Sequence, residues 1–104
     1  MSSIVPKTLV ILDKLKLYID KTYEQHYGSG DIQTTEVTFD AGHGEGFCIG
    51  NIIKYAQRFG KKDGRNDKDL YKVIHYAIIL LGSIQEERER AFIDYDEQIQ
   101  MDMD

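Results

Sequence analysis

Two short polar rows carry the side chains best suited to chemistry. Asn51, Tyr55 and Arg58 follow one another at a spacing of four then three, which on a helix stacks them along one face. Lys61 and Lys62 extend that row into the segment that follows. Asp69, Lys72 and Tyr76 form a second row, spaced three then four, with His75 beside it. Guanidinium and ammonium groups neutralise phosphate, an amide reads a base or a ribose, and a phenol ring stacks. On this reading Lys72 binds phosphate, while Asp69 holds a metal-bound water or orients a hydroxyl. The plainer reading makes both rows solvated faces, with Asp69 and Lys72 a surface ion pair worth roughly 0.3 kcal/mol.

Ahead of the first row lies a glycine-rich stretch, GHGEGFCIG, at residues 42–50. It is not a P-loop, because no Gly-Lys-Ser/Thr follows. Nor is it a dinucleotide fingerprint, since Gly44, Gly46 and Gly50 have the wrong spacing and no clear strand precedes them. Gly46 stands where a helix should begin, and free N–H groups there attract an anion that glycine lets approach. Alternatively the glycines only make turns and close crossings, with Gly50 a packing point. His26, His43 and His75 are too scattered for a zinc pattern, so no metal site is expected. Cys48 reads as a small buried hydrophobe, and a nucleophilic role would need a base, for which His43 is the local candidate.

These residues need helices to position them. Leu9, Leu12, Leu15, Ile19 and Tyr23 predict a helix over 7–24, with Pro6 suited to its first turn. Its apolar surface is wider than one stripe, which suggests cover from another subunit. Residues 32–40 read as a short helix capped by Asp31, with a strand as rival because Thr34, Thr35, Val37, Thr38 and Phe39 are β-branched or aromatic. A further helix is expected over 47–59, buried through Phe47, Ile49, Ile52, Ile53, Ala56 and Phe59, and closed by Gly60. The last helix is expected over 67–98, capped by Asn66, with Leu70, Val73, Ile74, Ala77, Leu81 and Ile84 inward. At about 48 Å it would outreach a small monomer, so its outer half should pack on another copy.

Composition sets the outer limits. A chain of 104 residues with 41% hydrophobic and 30% charged residues suits one soluble globular domain. No apolar run approaches the ~20 residues of a membrane span, and the N-terminus does not read as a signal peptide. One cysteine makes no internal disulfide, so a cytoplasmic setting is expected. The net charge of −5 argues against general nucleic-acid binding. It is unevenly spread, however. Residues 54–72 hold seven basic side chains against three acidic, whereas residues 86–104 hold eight acidic against two basic. The middle of the chain suits a small anion, and the tail repels long ones.

Taken in order, His26-Tyr27, Gly50-Asn51-x-x-Lys54-Tyr55-x-x-Arg58, a Gly-Lys-Lys turn and Asp69-Leu70-x-Lys72-x-x-x-Tyr76 resemble the small phage-encoded SaV-like domain. The resemblance covers about residues 26–82, a family-like core followed by a C-terminal helical extension over 83–104. Some members of that family look like phage nucleotide kinases that phosphorylate deoxynucleoside monophosphates without a Walker motif. The chain departs from the family at Ile52-Ile53, at Arg58-Phe59-Gly60 and at His75, and is shorter than the kinase members. The resemblance implies a mostly helical phage protein whose shared polar residues are Asn51, Lys54, Tyr55, Arg58, Asp69, Lys72 and Tyr76.

The combined expectation is one all-α domain over 1–104: two antiparallel core helices plus an N-terminal helix, in a homo-oligomer in the cytoplasm of an infected bacterium. A nucleotide would lie between the core helices. Its phosphates would sit near Gly46, Arg58, Lys61 and Lys72, its base or sugar against Asn51 and Tyr55, with Lys54, Tyr76, His26 and Tyr27 also in contact. If the protein is an enzyme, it transfers a phosphoryl group through Arg58, Lys72 and Asp69, with Mg²⁺ carried by the nucleotide. The alternatives are sequestration of a host signalling nucleotide without chemistry, or inhibition of a host protein through the acidic last helix.

Overall fold

The structure is a computed structural model and describes residues 4–26 and 30–103, with side chains over 6–24 and 34–103. Four helices follow in order: α1 (Ile4–His26), α2 (Gly30–Asp40), α3 (Gly44–Arg58) and α4 (Asp67–Met103). No strand occurs among the described residues. The segment for which helix and strand competed is helical. Within it the Thr38 hydroxyl donates to the Thr34 carbonyl one turn back, at 2.7 Å.

Local chemistry sets the ends of the central pair. α3 begins at Gly44 rather than Phe47, because Gly44 is buried flat against the Phe39 ring of α2, where any Cβ would collide with that ring. Glu45 then occupies the first turn, where a negative charge favours the helix dipole. At the other end the Phe59 N–H donates to the Tyr55 carbonyl at 3.2 Å, and Gly60 turns the chain at φ 83°. Asn66 caps α4 by accepting the Lys68 N–H at 2.9 Å. α4 then continues to Met103, past the expected end near residue 98.

α3 and α4 pack antiparallel and form the main seam of the fold. What lies in that seam corrects the expected inward stripes. Ile49 and Ile53 of α3 are exposed, as are Leu70, Ile74 and Leu81 of α4. Facing inward instead are Cys48, Tyr55 and Asp69, and the half-buried Lys72, Tyr76, Ile79 and Leu80. The expected stripe is therefore only partly the packed face: Phe47, Ile52 and Phe59, and Val73, Ala77 and Ile84 of α4, are half-buried. Tyrosine rings and a lysine stem supply enough apolar body to fill the seam, although hydropathy ranks them as polar. Gly50 is also corrected: it is exposed, with nothing within 4 Å of a would-be Cβ, so it is no packing point.

α1 meets α4 through aromatic rings. Tyr18 stacks on Tyr71 at 5.4 Å between centroids, and His75 stands edge-on to Tyr18 at 6.1 Å and to Tyr23 at 5.9 Å. His75 is buried, its Nε2 has no hydrogen-bond partner, and burial pushes its pKa below the usual 6.5. Leu15 is the one fully enclosed aliphatic side chain described on α1.

Gly44→Ala should destabilise by about 1–3 kcal/mol through collision with Phe39, whereas Gly50→Ala should stabilise by about 0.5–1 kcal/mol. Urea midpoints moving in the same direction for both would contradict the packing. For His75, the unfolded chain takes up a proton near pH 6.5 while the folded chain resists it until lower pH. Stability should thus be full above that value and decline as the pH falls below it. His75→Phe should lose less stability than the parent between pH 7.5 and 5.5, and equal losses would clear His75 of the effect.

Candidate functional site

At the loop end of the α3–α4 seam, the ring of Tyr55 is buried and stacked on Tyr76, with 6.1 Å between centroids and 8° between planes. Phe47 closes the stack from the other side, edge-on to Tyr76 at 5.7 Å. Three cations surround the Tyr55 ring: Lys72 Nζ at 4.7 Å from its centroid, Lys54 Nζ at 5.1 Å and Arg58 Cζ at 5.9 Å. Each lies within the range where the negative face of a ring attracts a cation. Two of them come from α3 and one from α4. The two polar rows therefore converge, because Tyr55 and Lys72 occupy facing positions on antiparallel helices.

Arg58 is held by two carboxylates. Its Nη2 lies 3.4 Å from Asp63 in the loop, and its Nε lies 3.7 Å from Asp69 in the first turn of α4. The Asp69 side chain is 6% exposed and that of Arg58 is 29% exposed. The pair is an ionic contact at a distance too long for a hydrogen bond, and both Arg58 Nε and Asp69 Oδ2 have no hydrogen-bond partner. Among the described residues, neither Lys54 nor Lys72 has a carboxylate partner. Among the described residues the cluster thus holds three positive charges against two negative ones, a net charge of +1, with both carboxylates on Arg58. Asp63 was absent from the sequence-based candidates. Its signal was the glycine pair, Gly60 and Gly64, whose positive φ angles of 83° and 66° fold the loop back on Arg58.

The remaining candidates fall elsewhere. The side-chain amide of Asn51 donates to the Phe47 carbonyl of its own helix at 2.9 Å. Lys61 is exposed in the loop, and its N–H donates to the Arg58 carbonyl at 2.9 Å. Gly46 lies in the first turn of α3, about 18 Å along the axis from Arg58, so no single phosphate group touches both. Tyr27 and the side chain of His26 lie outside the described residues. Cys48 is fully buried and burial pushes its thiol up, which suits a packed hydrophobe and not a nucleophile. No group of three His, Cys, Asp or Glu side chains suited to a metal occurs among the described residues.

A groove of about 510 Å³ runs between α2 and α4, with Glu36, Asp40, Glu86 and Glu87 in its walls against Arg90. It holds neither Arg58 nor Lys72, and its charge repels anions. No described helix is long and apolar enough to cross a membrane.

The family described as Protein of unknown function (DUF3310) matches residues 21–78, more than half of the chain. The chain belongs to that family. No curated protein and no solved structure matches it. The DUF3310 segment holds all of α2 and α3 and the first turns of α4, so every member of the Tyr55 cluster lies within it. The rest of α4 lies beyond the match.

The unequal burial of the Arg58–Asp69 pair gives an asymmetric prediction. Arg58→Met leaves a carboxylate buried without its counter-charge and should cost about 2–3 kcal/mol. Asp69→Asn leaves a part-exposed guanidinium still beside Asp63, and should cost about 1 kcal/mol. Denaturant unfolding of both variants checks the order. A larger loss for Asp69→Asn would contradict it.

Proposed function

We propose that this DUF3310 chain binds a small phosphate-bearing ligand, a nucleotide, at the loop end of the α3–α4 seam. One observation carries the reading: Lys54, Arg58 and Lys72, from two helices, gather on one buried aromatic ring, and Lys54 and Lys72 have no carboxylate partner among the described residues. Like charges brought this close repel, and a polyphosphate removes that repulsion. In this reading Lys54 and Lys72 take the phosphate oxygens, and Arg58, anchored by Asp63 and Asp69, presents its exposed part to the same anion. Lys61 reaches the ligand from the loop. Tyr55 and Tyr76 form the floor under the cations, since they already stack on one another.

The chemistry follows from that arrangement. Positioning plus cationic stabilisation is what phosphoryl transfer requires of a protein, with Mg²⁺ arriving on the nucleotide. The reaction is transfer of the γ-phosphoryl group of a nucleoside triphosphate to the phosphate oxygen of a deoxynucleoside monophosphate, with the nucleoside diphosphate leaving. This fits the resemblance to the phage SaV-like domain and its kinase-like members, and gives the protein a place in an infected bacterium. Asp69 orients the pair through Arg58.

Calorimetry with ATP and each deoxynucleoside monophosphate tests binding, and release of ADP tests turnover. Lys72→Ala and Lys54→Ala should each weaken binding about 10-fold or more, with the helical circular dichroism unchanged. Binding without turnover would replace the kinase with a protein that sequesters a nucleotide signal. Absence of binding by any nucleotide would overturn both.

A further inference from the structure

α4 has a second face that the fold leaves uncovered. Leu70, Ile74, Leu81, Phe92, Tyr95 and Ile99 all project from one side, turned away from α3, and all are exposed, Leu81 and Phe92 by 65% each. From Gln85 onward every described residue of the helix is exposed. The whole chain is correspondingly open. Its radius of gyration is 18.1 Å, where a compact chain of this length has about 13 Å. Its accessible surface is 8315 Å², against roughly 6,000 Å² for a compact monomer of 12.0 kDa. The excess, about 2,300 Å², is in the range that each protomer of an obligate dimer buries.

We infer that this face is the interface of a homodimer in which α4 pairs antiparallel with α4 of a second copy. The spacing of the stripe is what selects this occupant. Reversed on itself, it falls back into register: Leu70 meets the partner's Ile99, Ile74 meets the partner's Tyr95, and Phe92 lies over the partner's Ala77. Leu81 then covers the stem of the partner's Arg88, and Ile84 sits at the two-fold axis beside the partner's Gln85. Such an interface is isologous, each patch complementing its own copy.

Charge selects the direction. The C-terminal stretch, residues 86–104, carries eight acidic side chains against two basic, while residues 67–85, the inner half of α4, carry two of each. An antiparallel pair lays the acidic half of each α4 beside the charge-balanced inner half of the other. A parallel pair would set acidic half against acidic half. This inference stands apart from the proposed ligand, since its face points away from the Tyr55 cluster.

Light scattering on the full chain should give about 24 kDa, twice the 12.0 kDa of one chain. Leu81→Glu combined with Phe92→Glu should halve that mass with helicity retained, because both positions are exposed in the single chain. A monomeric parent would overturn the proposal. So would a double variant that remains dimeric while Leu12→Glu on α1 dissociates it. Direction is read separately by oxidation in a Cys48→Ala background. Leu81→Cys mixed with Arg88→Cys should form a covalent dimer that neither forms alone. Cross-linking of Leu81→Cys with itself alone would overturn the antiparallel register.

Discussion

The stacking of Tyr55 on Tyr76 holds the two main helices at the distance on which the rest of the structure depends. The ring is buried and parallel to its neighbour. It keeps α3 and α4 far enough apart for a lysine stem and close enough for Arg58 to reach Asp69 at 3.7 Å. A smaller side chain at either position would let the helices collapse and drive Lys72 out of the seam. A small chain has few buried residues with which to hold its shape. Here aromatic bodies and cation stems supply contacts that aliphatic residues would supply in a larger core.

The same choice of side chains explains what was legible in the sequence. Helix periods, the Asn66 cap and the Gly60 stop were readable because they depend on neighbours within a few residues. The second helix competed with a strand in the sequence because its β-branched run is a poor helix former, and its packing on α3 through Phe39 and Gly44 could not be read locally. Which face of α3 and α4 turns inward was legible only in part: Phe47, Ile52, Val73 and Ala77 are half-buried, while Ile49, Ile53, Leu70, Ile74 and Leu81 are exposed. A rule that sends the apolar stripe to the core assumes that the core belongs to a single chain. Leu70, Ile74 and Leu81 obey the rule only if their core is completed by a second copy. The available clue was a tyrosine in each polar row, Tyr55 in one and Tyr76 in the other.

The candidate site was legible as two rows of residue types but not as one place. Spacing puts Asn51, Tyr55 and Arg58 on one face and Asp69, Lys72 and Tyr76 on another, yet only the antiparallel hairpin brings Tyr55 opposite Lys72. The length of α3 itself sets Gly46 about 18 Å from Arg58, so one phosphate group cannot touch both. Proximity in sequence had suggested the opposite. The structural and functional roles of the cluster are linked by Arg58. Its carboxylate partners tie the loop to the start of α4 and also fix the guanidinium beside the Lys54 and Lys72 ammonium groups.

The most direct test of the cation cluster is a nitrogen–proton correlation spectrum recorded while ATP is titrated into the labelled protein. Amide shifts should move together at residues 54–58 and 69–72, on the two sides of the seam. Shifts confined to residues 44–47, or none at saturating nucleotide, would contradict the account.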